Sequence, residues 1–445
     1  MAGSLERLYE PEAYGPEADT GNYWRTTVSN VSDFPALQDP LTADVAVIGA
    51  GYTGLSAALH LAEAGHDVVV LDAEAPAWGA SGRNGGFACL GGAKASDEQL
   101  IRQFGTTGFA EFEQTKRAAV DLVAGLLDRH GIDADRHSDG EVVVAHRPQD
   151  MQGLSAEANH LAAMYGVKPN LIQKSELADH GLVGSGFHGA LHLPLGFALN
   201  PRKYALGLAG ATKRAGARIF GQSPVTGIAA QDGQYRLTTP QADLRARHLV
   251  IATNGYSSDN LPRWLKGRYL PVQSNIIVTR QLTKAEIAAG WHSDLMAYDT
   301  RNLLHYFRLL PEGRFLFGKR GGIRADMASQ AQMLQSIRAD FAAMFPMWAD
   351  VETPNFWSGL ACLSRNLTPY AGPVTGMENA YVAMAYHGNG VSMGTYSGML
   401  LAGLITGKGP AVPAVMRRPL DRFPFPSLRR GYLRPAYNWY QFKDR

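Results

Sequence analysis

Short apolar runs alternate with stretches of helical periodicity, most sharply in DVAVIGAGYTGLSAALHLAEAGHDVVVLD, Asp44 to Asp72. Asp44 to Ile48 is apolar and mostly β-branched, the pattern of a parallel strand buried on both faces. Leu55, Ala58, Leu59 and Ala62 recur at three- and four-residue spacing, which predicts a helix, and Gly65 suits its C′ position. Val68 to Leu71 form a second apolar strand ending at Asp72. The same reading predicts helices over Asp97–His130, Asp150–Tyr165, Pro201–Ala215 and Ser329–Met344, with Asn200 and Pro201 as cap and first turn of the third. Strands are predicted over Glu141–His146, Phe187–Leu193, Val272–Thr279, Arg314–Phe317 and Tyr381–Ala385. A helix with a small-residue face begins at Val391, after the turn His387-Gly388-Asn389-Gly390.

The βαβ unit carries chemistry as well as pattern. Gly49, Gly51 and Gly54 stand in G-x-G-x-x-G spacing between the first strand and the helix, the context that motif requires. Gly49 permits the tight turn, Gly51 lets backbone approach a pyrophosphate, and Gly54 lets helix pack on sheet. The helix N-terminus then offers free N–H groups and a partial positive charge to the phosphates. Asp72, 21 residues after Gly51, can accept from a ribose diol and would repel a 2′-phosphate, which argues against NADP. The late turn at Gly388 to Gly390 repeats the strand, glycine turn, helix logic.

Ala73 to Gly92 is a second glycine-rich stretch with six glycines. A loop of that length inside a domain is uncommon unless functional. Ser81, Arg83, Asn84, Gly85 and Gly86 place a hydroxyl, a cation, an amide and two flexible positions in a row, a set suited to a pyrophosphate.

Composition narrows the class. The 445 residues, 45% hydrophobic and 18% charged, read as an ordinary soluble chain of two or three domains. A net charge of +2 calls for neither nucleic acid nor an anionic membrane. Cys89 and Cys362 make no disulfide framework, so a reducing, cytoplasmic setting is expected. Residues 1 to 19 lack the apolar core of a secretory signal. No apolar run reaches the ~20 residues of a membrane span. No Cys/His/Asp cluster has metal spacing. Residues 1 to 41, with Tyr9, Tyr14, Tyr23, Trp24 and Phe34, are too aromatic for a plain disordered tail.

GAGYTGLSAA followed by GASGRNGG resembles the FAD-dependent D-amino-acid oxidase superfamily, and within it the γ-glutamylputrescine oxidase and glycine/sarcosine oxidase-like branch. SPVTGI with HLVIATNGY, YFRLLPEGRFLFG, and WSGLACLSRNLTPYAG with YVAMAYHGNGVSMG extend the likeness over about residues 22 to 410. It implies an α/β fold: a Rossmann-type FAD-binding domain of the glutathione-reductase-like βαβ kind, with an inserted α+β substrate domain on a mixed or antiparallel sheet. The expected division is an N-terminal arm, 1–41; an FAD-binding domain, 42–96, 197–268 and 355–410; a substrate domain, 97–196 and 269–354; and a C-terminal strap, 411–445.

The resemblance also implies the site. Gly49, Ala50, Gly51, Tyr52, Thr53, Gly54, Asp72, Ala73, Gly79, Ala80, Ser81, Arg83, Asn84, Gly85, Gly86, Val225, Thr253, Asn254, Gly255, Gly388, Asn389, Gly390, Val391, Ser392 and Met393 are expected at the FAD. His387, Tyr306, Lys319 and His305 are the catalytic candidates, and Arg280, Arg308 and Tyr370 the substrate-binding ones. Alternation puts His305 and Phe307 on one face of their strand and Tyr306 and Arg308 on the other, without saying which meets the substrate. Cys362 lies where relatives can hold FAD covalently, but ACLSRNLTPY departs from that pattern, so the FAD is expected non-covalent. The expected reaction is oxidation of a C–N bond in an amine or N-substituted amino acid: hydride passes to flavin N5, the imine hydrolyses, and O2 yields H2O2. The amino-acid oxidases' carboxylate clamp is not recognisable, which disfavours a simple α-amino acid. A dehydrogenase with a carrier or quinone acceptor is the alternative. A non-catalytic flavoprotein is disfavoured by the aromatic-rich second sheet, and an NAD-dependent dehydrogenase by the two extra glycine loops. Oligomeric state carries no sequence signal.

Overall fold

The computed structural model describes residues 5–29 and 33–444. Residues 1–4 and 30–32 of the expected arm, and 445 of the expected strap, lie outside them. Two eight-stranded sheets organise the chain. The first runs Tyr370–Pro373, Ala380–Met384, Asp243–Ile251, Leu41–Ile48, Val68–Leu71, Arg218–Phe220. Four of the five pairings in this order are parallel, as the buried apolar runs require, and the first is antiparallel. A hairpin, Gly227–Gln231 with Gln234–Thr238, adds antiparallel to Asp243–Ile251. Val225 therefore sits in the loop before the hairpin, not in a strand.

The fingerprint helix spans Tyr52–Glu63 and packs on the closing helix, Gly390–Thr406, over one face of this sheet. Gly49 has φ +104°, and a β-carbon at Gly54 would collide with the Gly49 carbonyl, so helix and sheet meet through the glycines. Asn200 caps helix Pro201–Arg214 through Arg202 N–H and Lys203 N–H at 3.2 and 3.1 Å.

The second sheet runs Asn355–Leu363, Leu270–Val278, Phe315–Arg320, His305–Leu309, Met296–Asp299, Glu141–Val144, Gly189–Leu193, Asn170–Gln173. Only Met296–Asp299 with Glu141–Val144 is parallel. One face buries Phe307, Phe315 and Phe317 against Phe341, Phe345 and Trp348, the last three from helix Met327–Met344 and the turn after it. The other face looks toward the glycine loops. Strand Asn355–Leu363 belongs to this second sheet, and the chain re-enters the first at Tyr370. Helix Asp97–His130 is kinked at Gly105, whose φ is +71°.

The arm is ordered where described. Tyr9, Tyr14, Tyr23 and Trp24 are buried. Asn22 donates to Gly82 O at 2.8 Å, Trp24 Nε1 donates to Asn84 O at 2.9 Å, and buried Asp19 pairs with Arg83 at 3.4 Å. The arm thus holds the glycine loop from outside. Among the described residues, no helix is long and apolar enough to cross a membrane.

Candidate active site

A cavity of about 680 Å³ begins at the fingerprint and ends under the second sheet. Gly49, Ala50, Gly51, Tyr52, Thr53, Asp72, Ala73, Gly79, Ala80, Ser81, Arg83, Asn84, Gly85, Val225, Thr253, Asn254, Gly388, Asn389, Gly390 and Val391 line it, together with Tyr306 and His387. Half-buried Asp72 accepts from Ala50 N–H at 2.6 Å and Glu74 N–H at 2.9 Å, and desolvation raises its pKa. Ser81 Oγ accepts from Tyr52 N–H at 3.0 Å. Asn84 spends its amide on the loop itself, donating to Ala80 O and Ser81 O and accepting from Gly86 N–H.

Gly54, Gly86, Gly255, Ser392 and Met393 stand behind the wall instead. Gly54 and Gly255 are packing positions, the latter under Leu360 O of strand Asn355–Leu363. Gly86 approaches Leu199 O, and Met393 packs on Gly92.

The substrate end is built by alternation on two paired strands. Tyr306 pairs with Gly318 and His305 with Lys319, so Tyr306, Gly318 and Arg320 share the cavity face. The Tyr306 ring lies over Gly318, touches Gly85, meets Phe87 edge-on at 5.9 Å, and its hydroxyl is 2.9 Å from Ser274 Oγ. Burial pushes its phenol up to about 12. Arg320, which sequence reasoning missed, donates to His387 O at 3.2 Å, and a β-carbon at Gly388 would come within 2.5 Å of its Nη2. Its position two residues past Gly318 on the same strand face was the available signal.

His387 itself has left-handed backbone, φ +52°, and its Nε2 lies 3.3 Å from Ser364 Oγ. Burial lowers its pKa to about 3, helped by Lys94 and Arg320. Desolvation thus favours the neutral ring.

Five of the expected catalytic and substrate-binding residues also lie outside the cavity. His305 is buried between Asp299 (2.7 Å) and Asp340 (3.1 Å), and Lys319 pairs with Asp340 and Ser336, all on the opposite face of the sheet. Arg308 shares the cavity face but is fully buried. Its guanidinium donates to Gly85 O at 2.9 Å and Leu199 O at 2.7 Å and meets His137 Nε2 at 2.9 Å, tying the glycine loop to the sheet. Arg280 forms a surface pair with Glu286, six residues on, at 2.7 Å. Tyr370 is buried under the first sheet, donating to Pro373 O at 2.7 Å.

Several lining residues carried no local signal. Glu141 starts a second-sheet strand, is buried beside the Cys89 thiol, and is raised by desolvation to about 8. Asn389 Nδ2 reaches the same Cys89 Sγ at 3.3 Å. Lys94 opens on the cavity but is crowded by protein, which lowers it to about 8 with help from Arg320. Among the described residues neither Lys94 nor Arg320 has an ion-pair partner. Cys362 also lines the cavity, and burial pushes its thiol up to about 12.

The wall suits a dinucleotide. Arg7 Nε, Trp78 Nε1 and Arg83 Nη2 are buried donors on lining side chains with no acceptor in the protein, a costly state that ligand oxygens relieve. Both glycine-turn helices open at this cavity without a side-chain cap.

A family model described as FAD dependent oxidoreductase matches residues 44–404. "Probable oxidoreductase OrdL" of Haemophilus influenzae is 32% identical over 84% of this chain and 85% of its own. The γ-glutamylputrescine oxidoreductase of Escherichia coli is 28% identical over 96% and 98%. A crystal structure of glycine oxidase from Geobacillus kaustophilus superposes with a TM-score of 0.70 at 20% identity, covering 85% of this chain and all of that one.

Proposed function

Because the chain belongs to the FAD dependent oxidoreductase family, we propose that it oxidises a C–N bond in an amine or N-substituted amino acid held against Tyr306 and Arg320. One observation carries this reading. A single cavity joins the fingerprint at Gly49 to Asp72 with the second-sheet wall, so a dinucleotide and a small substrate can meet inside it. Bound FAD would supply the sink for the two electrons of the C–H bond, with the nitrogen's proton released, O2 as the final acceptor giving H2O2, and water hydrolysing the resulting C=N bond to a carbonyl and an amine.

The chain's residues orient and desolvate. Tyr306, fixed by Ser274, Gly318 and Gly85, is the rigid wall. Arg320 and Lys94 offer positive charge to an anionic group of the substrate. Glu141 offers a carboxyl to the amine. A molecule carrying both groups matches that pairing. The amine and amino-acid substrates named for the Escherichia coli relative and for glycine oxidase of Bacillus licheniformis support the class. FAD is held non-covalently in this reading, because ACLSRNLTPY departs from the covalent pattern and burial disfavours the Cys362 thiolate.

The test is anaerobic addition of amines and N-alkyl amino acids to the purified protein while the visible flavin bands are followed. Bleaching by one class, reversed by air with peroxide release, is expected. Bleaching that air reverses only slowly moves the assignment to a dehydrogenase. A protein that no such compound bleaches refutes the reading.

A further inference from the structure

We propose that the N-terminal arm is a cofactor clamp, and that Arg7 pairs with oxygens of the ADP half of the FAD. The arm lies outside residues 44–404, which the family model matches. Leu5, Arg7 and Tyr14 nevertheless line the same cavity as Asp72, Ala73 and Val225. Glu74, whose N–H donates to Asp72 at 2.9 Å, lines the cavity with Arg7, at the nucleotide end.

Arg7 is poised rather than satisfied. Its Nε is buried without an acceptor, and among the described residues it has no carboxylate within ion-pair distance. Its recorded contact is the face of Tyr14, 4.5 Å below the guanidinium. Burial works against its charge. A partly buried, unpaired cation is costly, and phosphate and ribose oxygens are the acceptors the fingerprint brings to this end of the cavity.

The segment around Arg7 is fastened on both sides. Glu6 donates from its N–H to Asn260 Oδ1 at 3.0 Å and accepts Asp259 N–H at 2.8 Å. Leu8 O accepts from Arg430 at 2.7 Å, and Tyr9 donates to Pro271 O at 3.4 Å. These anchors hold the guanidinium in place before a ligand arrives, which lowers the ordering cost of binding.

The test follows loss of FAD from the holoenzyme on dilution into a flavin scavenger, read by flavin fluorescence. R7Q is expected to lose FAD about tenfold faster or more, with R7K, which keeps the charge, in between. R7Q within twofold of wild type overturns the proposal, as does R7K no slower than R7Q, which would mark a packing role. Should R7Q fail to accumulate folded, amide exchange in wild type decides. Residues 5–14 are expected to exchange more slowly in holoenzyme than in flavin-stripped protein, and equal rates overturn the clamp.

Discussion

Gly318 is the position where a single methyl group tests the site. An alanine β-carbon there would lie within 2.6 Å of three carbons of the Tyr306 ring, where ordinary contact begins at 3.4 Å. The nearest of them, Cζ, is at 2.1 Å, so reaching ordinary contact takes a retreat of about 1.3 Å. It has little room, because Gly85 lies beside its Cε2 carbon as well and Phe87 meets it edge-on. Retreat also breaks the 2.9 Å hydroxyl contact with Ser274. Overpacking costs about 1–3 kcal/mol and the lost hydrogen bond roughly 0.5–1.5 kcal/mol. A wall misplaced by about 1 Å slows a positioned reaction by up to ~10²-fold. Gly318→Ala should thus keep its flavin, judged from the visible spectrum, while anaerobic stopped-flow bleaching by substrate slows about 10- to 100-fold. Wild-type bleaching at full flavin content would falsify the role given to the Tyr306 ring. The stability loss should also vanish, within ~0.5 kcal/mol, when Gly318→Ala is made in a Tyr306→Ala background. An equal loss in both backgrounds shows that the collision is not its cause.

Other expectations follow from the same wall. Arg320→Met should raise KM for a carboxylate-bearing amine roughly 10- to 150-fold, the value of a charge-assisted bond of about 1.5–3 kcal/mol, and leave an uncharged amine of equal size nearly unaffected; equal losses for both would assign Arg320 a structural role. Glu141 sits near 8 in the folded protein against 4.5 for the free side chain, so the folded state holds a proton that the unfolded state has released. Apoenzyme stability should fall as pH rises from about 4.5 to 8, by a few kcal/mol in all, and level off above. Urea melts of Glu141→Gln should lack that slope, and a slope unchanged in the variant refutes the assignment. Cys362→Ser should retain full flavin, and acid precipitation of the wild type should leave all flavin in the supernatant; flavin that stays with the pellet marks a covalent bond.

The local parts of this molecule were legible in its sequence. The βαβ unit, the Asn200 cap and the closing turn at Gly388 each depend on residues near one another in the chain, so spacing alone reveals them. The substrate end was not legible in that way. Strand His305–Leu309 is buried on both faces, one by phenylalanines and one by the cavity wall, so hydrophobicity separates two residue sets without giving either a direction. His305 and Lys319 were drawn away by Asp340, which arrives from a later helix. Arg308 was taken up by carbonyls of Gly85 and Leu199, far away in sequence. Glu141, Lys94 and Arg7 reach the cavity from three separate segments, none with a local motif.

The sequence by itself determined the nucleotide fold and its dinucleotide site, because glycine spacing and strand periodicity are short-range constraints on the backbone, and the resemblance of its motifs pointed to FAD. The tertiary structure alone decided which polar side chains face the cavity, because that depends on how strands, loops and arm from distant segments pack against one another and which charges they leave without a partner.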